Sequence, residues 1–149
     1  MENEKIINTV TAIFNGADAR DWQKVKAAFA DEVLLDYSSM NGNPAAQMTS
    51  DQIIAAWSSF LPGFDKTHHN VFDFKVDQSD DKANVNFTGI ADHFIGESKW
   101  TVEGTYDVEA IPKGDSWQVS KFRLNFEKQS GDTSLPQKAA KIMSQKLKK

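Results

Sequence analysis

Apolar residues recur near the start of the chain at the intervals of one helical face: Ile6, Ile7, Val10, Ile13 and Phe14. The spacing predicts an amphipathic helix over 3–15, and Asn15-Gly16 reads as its stop. Asp21 reads as the N-cap of a short second helix whose buried stripe is Trp22, Val25, Ala28 and Phe29. Val33-Leu34-Leu35-Asp36-Tyr37 reads as a first strand, with Val33, Leu35 and Tyr37 on one face because side chains alternate. Residues 38–48, which hold Asn41-Gly42-Asn43-Pro44, read as loop. A third helix follows, capped by Thr49 or Ser50 with Gln52 near the capping-box position. Its buried side is Ile53, Ile54, Trp57, Phe60 and Leu61, and Leu61-Pro62-Gly63 ends it.

From His68 to about Phe126 the period changes from helical to alternating. Phe72, Phe74 and Val76 share one face, and Gln78-Ser79-Asp80-Asp81 is a turn. Ala83, Val85, Phe87, Gly89, Ala91, His93 and Ile95 share the inner face of the next strand. After Gly96, Trp100, Val102, Gly104, Tyr106, Val108 and Ala110 keep the same phase, and Thr101, Glu103, Thr105, Asp107 and Glu109 alternate with them. Pro112-Lys113-Gly114-Asp115 is a hairpin turn. The last strand begins with Trp117 and Val119 inward and continues with Phe122, Leu124 and Phe126 in the opposite phase. A bulge near Ser120-Lys121 reconciles the halves. Residues 128–134 read as a polar linker, and 135–147 as a weakly amphipathic helix.

Helices followed by long antiparallel strands indicate an α+β fold, with N-terminal helices packed on one face of a strongly curved, mainly antiparallel β-sheet. A curved sheet closed by helices is cone-shaped, and its open end is a natural ligand pocket. We place one domain over 1–130 and a basic C-terminal tail, helical by pattern, over 131–149. That tail, read as a solvated helix or frayed end, carries Lys138, Lys141, Lys146, Lys148 and Lys149, and residues 133–149 hold no acid. The rest of the chain holds 12 Lys and Arg against 21 Asp and Glu, so it repels phosphate backbones and predicts no nucleic-acid partner. The absence of Cys excludes disulfides, thiolate metal sites and a Cys nucleophile. No apolar run is long enough for a transmembrane helix. Met-Glu-Asn-Glu-Lys carries acids where a secretory leader needs bases, so the expected location is cytoplasmic. No phosphate loop, G-x-S-x-G elbow or dinucleotide fingerprint occurs.

His93 points inward by phase, and a buried imidazole needs partners. Backbone or Tyr106 would satisfy it as a core residue. A carboxylate on one ring nitrogen would instead make it an acid/base group. Simple alternation turns His68 inward rather than His69, unless a kink or bulge at the strand start reverses the order. The vicinal pair lacks the spacing of a helical zinc motif and no third ligand is evident, so no metal site is expected. Trp22, Trp57, Phe60, Trp100, Tyr106 and Phe126 are the aromatic residues available to line the cone.

The phrases from Asp21-Trp22 through Phe29-Ala30-Asp31-Glu32-Val33 to Asp36-Tyr37, and Trp57…Leu61-Pro62-Gly63-Phe64…Thr67-His68-His69-Asn70, resemble the NTF2-like superfamily and its SnoaL-like domains. The resemblance covers roughly residues 4–128. Within it, the site pattern resembles scytalone dehydratase, which eliminates water from a small polyketide-derived substrate without metal or organic cofactor. The resemblance puts Asp18 at the site Asp, Tyr37 at a site Tyr, His69 at the first His and His93 near the second. Ala17 stands where the pattern has another Tyr, and its later Asn has no clear match near Thr105-Tyr106. The resemblance thus implies a cofactor-independent dehydratase, isomerase or cyclase acting on a small apolar carbonyl or hydroxy compound. His69 would move the proton, His93 held by Asp18 would orient a water or assist, and Tyr37 would donate to an oxyanion. It also implies a homodimer. The alternatives are a non-catalytic small-molecule-binding module, and a dimerisation module that uses the polar outer sheet face.

Overall fold

Helix α1 (Glu2–Ala19) runs on past the expected stop at Asn15-Gly16. Gly16 is there for packing: a Cβ on it would stand 2.7 Å from Val25 Cγ2 of α2 (Trp22–Ala28). Asp21 caps α2 as expected, its side chain accepting from Lys24 N–H. The computed structural model describes residues 2–147, so Met1 and two lysines of the basic tail, Lys148 and Lys149, lie outside the described residues. Strand β1 (Phe29–Asp36) starts earlier than its apolar run and stops before Tyr37.

Residues 38–48 are not loop throughout. A single helical turn, α3 (Ser38–Asn41), ends on left-handed Gly42, and an edge strand, β2 (Ala46–Thr49), pairs with β1. Four-residue elements are too short to show a period, which is why the pattern missed them. Helix α4 (Ser50–Ser58) carries the predicted capping box, with Thr49 and Gln52 each bonding the other's backbone. Phe60 lies beyond it, and Leu61–Gly63 form a 3₁₀ turn.

Four long strands follow: β3 (Lys66–Gln78), β4 (Ala83–Ile95), β5 (Ser98–Lys113) and β6 (Ser116–Gly131). The six strands form one sheet in the order β2-β1-β6-β5-β4-β3. Only the β1–β6 pair is parallel. The fold is therefore the α+β arrangement that the pattern predicts.

Besides one between Phe29 and Leu34 where β1 meets β6, three register shifts in the antiparallel pairs bend this sheet. Glu109 pairs with Lys121 and Ala110 with Val119, so Ser120 is the extra residue of the expected bulge. A second shift leaves Glu127 unpaired and lets β6 continue to Gly131, through the segment read as linker. A third falls between Phe72 and Lys75 of β3, where Asp73 adopts φ 60°.

The main core fills the space between helices and sheet, with Phe29, Phe87 and Phe122 among its largest sealed side chains. A second cluster corrects the reading of the tail. Helix α5 (Leu135–Leu147) is neither free nor frayed at its start: Leu135 and Ala139 are fully buried against Phe64, Trp100 and Val102. Gly63 lets α5 in, since any Cβ there would collide with the Ala139 carbonyl. Among the described residues no helix is long and apolar enough to cross a membrane.

Candidate active site

The extra length of α1 matters because it carries Asp18 over the start of β3. There Asp18 grips one residue twice. Its Oδ2 accepts the backbone N–H of His69 at 2.7 Å, and its Oδ1 lies 2.6 Å from His69 Nδ1. Oδ1 also accepts from Thr67 Oγ1 at 2.9 Å. Burial by itself would raise the Asp18 carboxyl. The hydrogen bonds and charge of His69, with the bond from Thr67, outweigh it and hold the group below its ordinary value. A carboxylate only accepts, so Nδ1 of His69 carries the proton and Nε2 of the neutral ring is left as a base.

His69, not His68, faces inward, and the reason is the bulge. Thr67, His69 and Val71 are inside on the first half of β3, while His68 and Asn70 are exposed. After Asp73 the phase reverses, and Phe74 and Val76 turn inward. The apolar alternation of 72–76 therefore gives no guide to residues on the other side of the shift. The expected reversal is real, but it lies in mid-strand rather than at the strand start.

His93 does not pair with Asp18, contrary to the expectation. It lies opposite Trp100 across β4 and β5, and its Nδ1 donates to the Trp100 carbonyl at 3.1 Å. The rings of Phe64 and Trp100 wall it in at centroid distances of 4.9 and 4.4 Å. Burial lowers its pKa to about 4, with a further push from His69, against the opposing pull of the Trp100 bond and the Asp18 and Asp92 charges. His93 is thus neutral near pH 7, with Nε2 an acceptor. The two imidazoles meet edge to face at 6.1 Å.

Tyr37 sits just beyond β1, and Tyr106 lies on β5 stacked against Phe87 at 5.0 Å. Gly89 makes room for that ring, because a Cβ there would stand 2.5 Å from Tyr106 Cε1. Burial raises the Tyr106 hydroxyl above its ordinary value, and burial together with nearby Tyr106 raises Tyr37 well above it. Neither hydroxyl bonds to another described residue, yet among the described residues no buried side-chain polar atom lacks a partner. Both therefore reach free volume as protonated donors.

That volume is a cavity of about 320 Å³ bounded by the helices and the inner face of the sheet. His69, His93, Tyr37 and Tyr106 line it together with the expected Trp57, Phe60 and Trp100. Phe14, Leu61, Met40 and Asn41 are also in the wall and were not singled out as site residues from sequence. Trp22 and Phe126 are not in it. Trp22 opens α2 and packs on the main core, while Phe126, beside the second β6 bulge, packs on the Phe64 cluster. A larger hollow of about 600 Å³ lies on the other sheet face. Three of its carboxylates are already engaged, Asp107 by Asn86 and Asn125, Glu109 by Ser120 and Lys82, and Asp36 by the Ser38 N–H. Among the described residues no three His, Asp or Glu side chains group as metal ligands.

Two supporting residues escaped the sequence reading. Thr67 was readable in principle, as the residue two before His69 and thus on its face. Arg20 was not, because Gly or Asn is the usual residue where it stands.

A protein of Kribbella flavida, Kfla4162, superposes with a TM-score of 0.85 at 24% identity, over 91% of this chain and 97% of its own. A candidate scytalone dehydratase from Novosphingobium aromaticivorans superposes at 0.74 and 18% identity, over 87% and 86% of the two chains. The hexachlorocyclohexane dehydrochlorinase LinA-type3 from Novosphingobium barchaimii superposes at 0.69 and 14%, over 88% and 90%. At these identities the likeness is one of fold. Among curated proteins, none matches the sequence. The SnoaL-like domain family matches residues 2–123, from the first helix into the last strand. By that match the chain belongs to the SnoaL-like family, on the NTF2-like fold that its helices and curved sheet display.

Proposed function

We propose that the cavity is the active site of a cofactor-independent enzyme that removes a proton beside a carbonyl and eliminates water. The observation that carries this reading is the 2.6 Å contact between Asp18 and His69 at the wall of an apolar cavity. His69 Nε2 takes a proton from the carbon next to a substrate carbonyl, and Asp18 stabilises the imidazolium that forms. The developing enolate oxygen receives hydrogen bonds from Tyr37 and Tyr106. The enolate then reforms its carbonyl, a double bond forms, and the β-hydroxyl leaves as water with the proton from His69. His93 Nε2 accepts from that hydroxyl and orients it. The substrate is a small, mostly apolar carbonyl or hydroxy compound. A homodimer and a cytoplasmic setting belong to the same reading.

Neutral one- and two-ring β-hydroxyketones in D₂O test it, with proton NMR following water loss and deuterium entry beside the carbonyl. The wild-type chain should catalyse one or both. D18N and H69Q should each lose about a hundredfold or more, the scale of general base catalysis. If compounds that raise the melting temperature show neither reaction, the pocket is a binding site and the enzymatic reading fails.

A further inference from the structure

Arg20 ends α1 in the left-handed region, at φ 59°. The backbone there bonds as in a Schellman turn, Asp21 N–H to the Gly16 carbonyl at 2.8 Å and Arg20 N–H to that of Ala17 at 3.2 Å. A residue with a Cβ is held in this conformation against the steric preference of L residues. The Arg20 side chain offsets that preference by folding inward. Its Nη1 donates to the Ala17 carbonyl at 2.8 Å and to Thr67 Oγ1 at 3.0 Å, and its Nη2 donates to the Leu61 carbonyl at 2.9 Å. One half-buried cation thus ties together the end of α1, the 3₁₀ turn and the start of β3.

These bonds dictate the proton arrangement at Thr67. Its hydroxyl has one proton, and its oxygen already accepts from Arg20. The proton is therefore directed to Asp18 Oδ1, 2.9 Å away, the same oxygen that meets His69 Nδ1. Thr67 is only 5% exposed, so water is a poor substitute for either partner. Among the described residues Arg20 forms no ion pair with Asp18, and the link runs through the hydroxyl.

We propose that Arg20 is the positioning residue of the Asp18–His69 pair: by holding Thr67 in one orientation it fixes the carboxylate against His69 and sets how that ring enters the cavity. This inference rests on the functional reading of the pair given above. The planar fork of the guanidinium is what allows three acceptors in three directions to be held at once, and an ammonium does not reproduce it.

The readout is the His69 Nδ1–H proton, observed by NMR on ¹⁵N-histidine-labelled full-length protein. Its shift and its exchange with water report the bond to Asp18 without any substrate. D18N should abolish the wild-type signal. T67V and R20K should shift it and speed its exchange about tenfold, while T67S restores the wild-type behaviour. T67V is nearly isosteric and tests the hydroxyl link, and R20Q carries the Arg20 test if R20K does not fold. Loss in D18N with an unchanged signal in the Arg20 variant, whatever T67V does and even if it melts earlier, makes Arg20 a structural brace and overturns the proposal. A signal unchanged in D18N overturns the Asp18–His69 reading itself.

Discussion

An imidazole walled by Phe64 and Trp100 cannot take up a proton cheaply, and this has a consequence for folding. The folded chain holds the His93 pKa at about 4, against 6.5 ordinarily, chiefly by burial. Between those values the unfolded chain binds the proton and the folded chain does not. The contribution is complete above pH 6.5 and is lost as the pH falls towards 4. Relative to H93Q, the wild-type chain should lose about 3 kcal/mol between pH 7 and pH 4, measured by urea unfolding across that range. A constant difference would mean that His93 titrates freely. At this scale the sequence was legible where phase and resemblance agreed. His93 was placed inward by alternation and is 6% exposed. Its partner was not legible, because alternation says which face a side chain takes and nothing about which carboxylate reaches it. Asp18 went to His69, two residues along the neighbouring strand from the position opposite His93.

Strand β3 turns its odd residues inward before the shift and its even ones after it, and a single residue makes the change. Asp73 takes the left-handed conformation at the shift. Asp tolerates it better than a branched residue, and Gly tolerates it best. D73G should therefore equal the wild type or exceed it by up to about 1 kcal/mol, and D73V should fall short by about 1–2 kcal/mol, in urea unfolding. Equal stability of all three would mean that no strain resides there. The β6 bulge could be read from sequence because apolar residues stand on both sides of Ser120 in opposite phase. On β3 the strand opens with Lys66, Thr67, His68, His69 and Asn70, whose polarity does not say which way they turn, and only Val71 and Phe72 stand between them and the shift. The edge strand β2 and the turn α3 were illegible for another reason. Ala46–Thr49 and Ser38–Asn41 draw their order from β1 and β6, including the Ser39 hydroxyl that donates to the Leu124 carbonyl at 2.7 Å.

At the scale of the whole molecule, α5 backs one wall of the cavity from outside. It packs on Phe64 and Trp100, and Trp100 in turn is a wall of the cavity and the acceptor of His93. The weak amphipathic pattern of 135–147 did not foretell this, since among the described residues there only Leu135 and Ala139 are buried and one of them is small. L135A should cost about 2–5 kcal/mol by the cavity it leaves, and should change Trp fluorescence through Trp100. A loss under about 1 kcal/mol would mean that α5 rests on the fold without sealing it.

Among the described residues the cavity wall holds imidazoles, phenols, indoles and one amide, but no carboxylate, ammonium or guanidinium. An ion entering it would give up its hydration with no counterion to replace it, a penalty of several kcal/mol. A weak acid and its conjugate base are then two different guests, one admitted and one refused. The solution pH would govern occupancy through the ionisation of the guest, even over a range where the wall itself does not change charge.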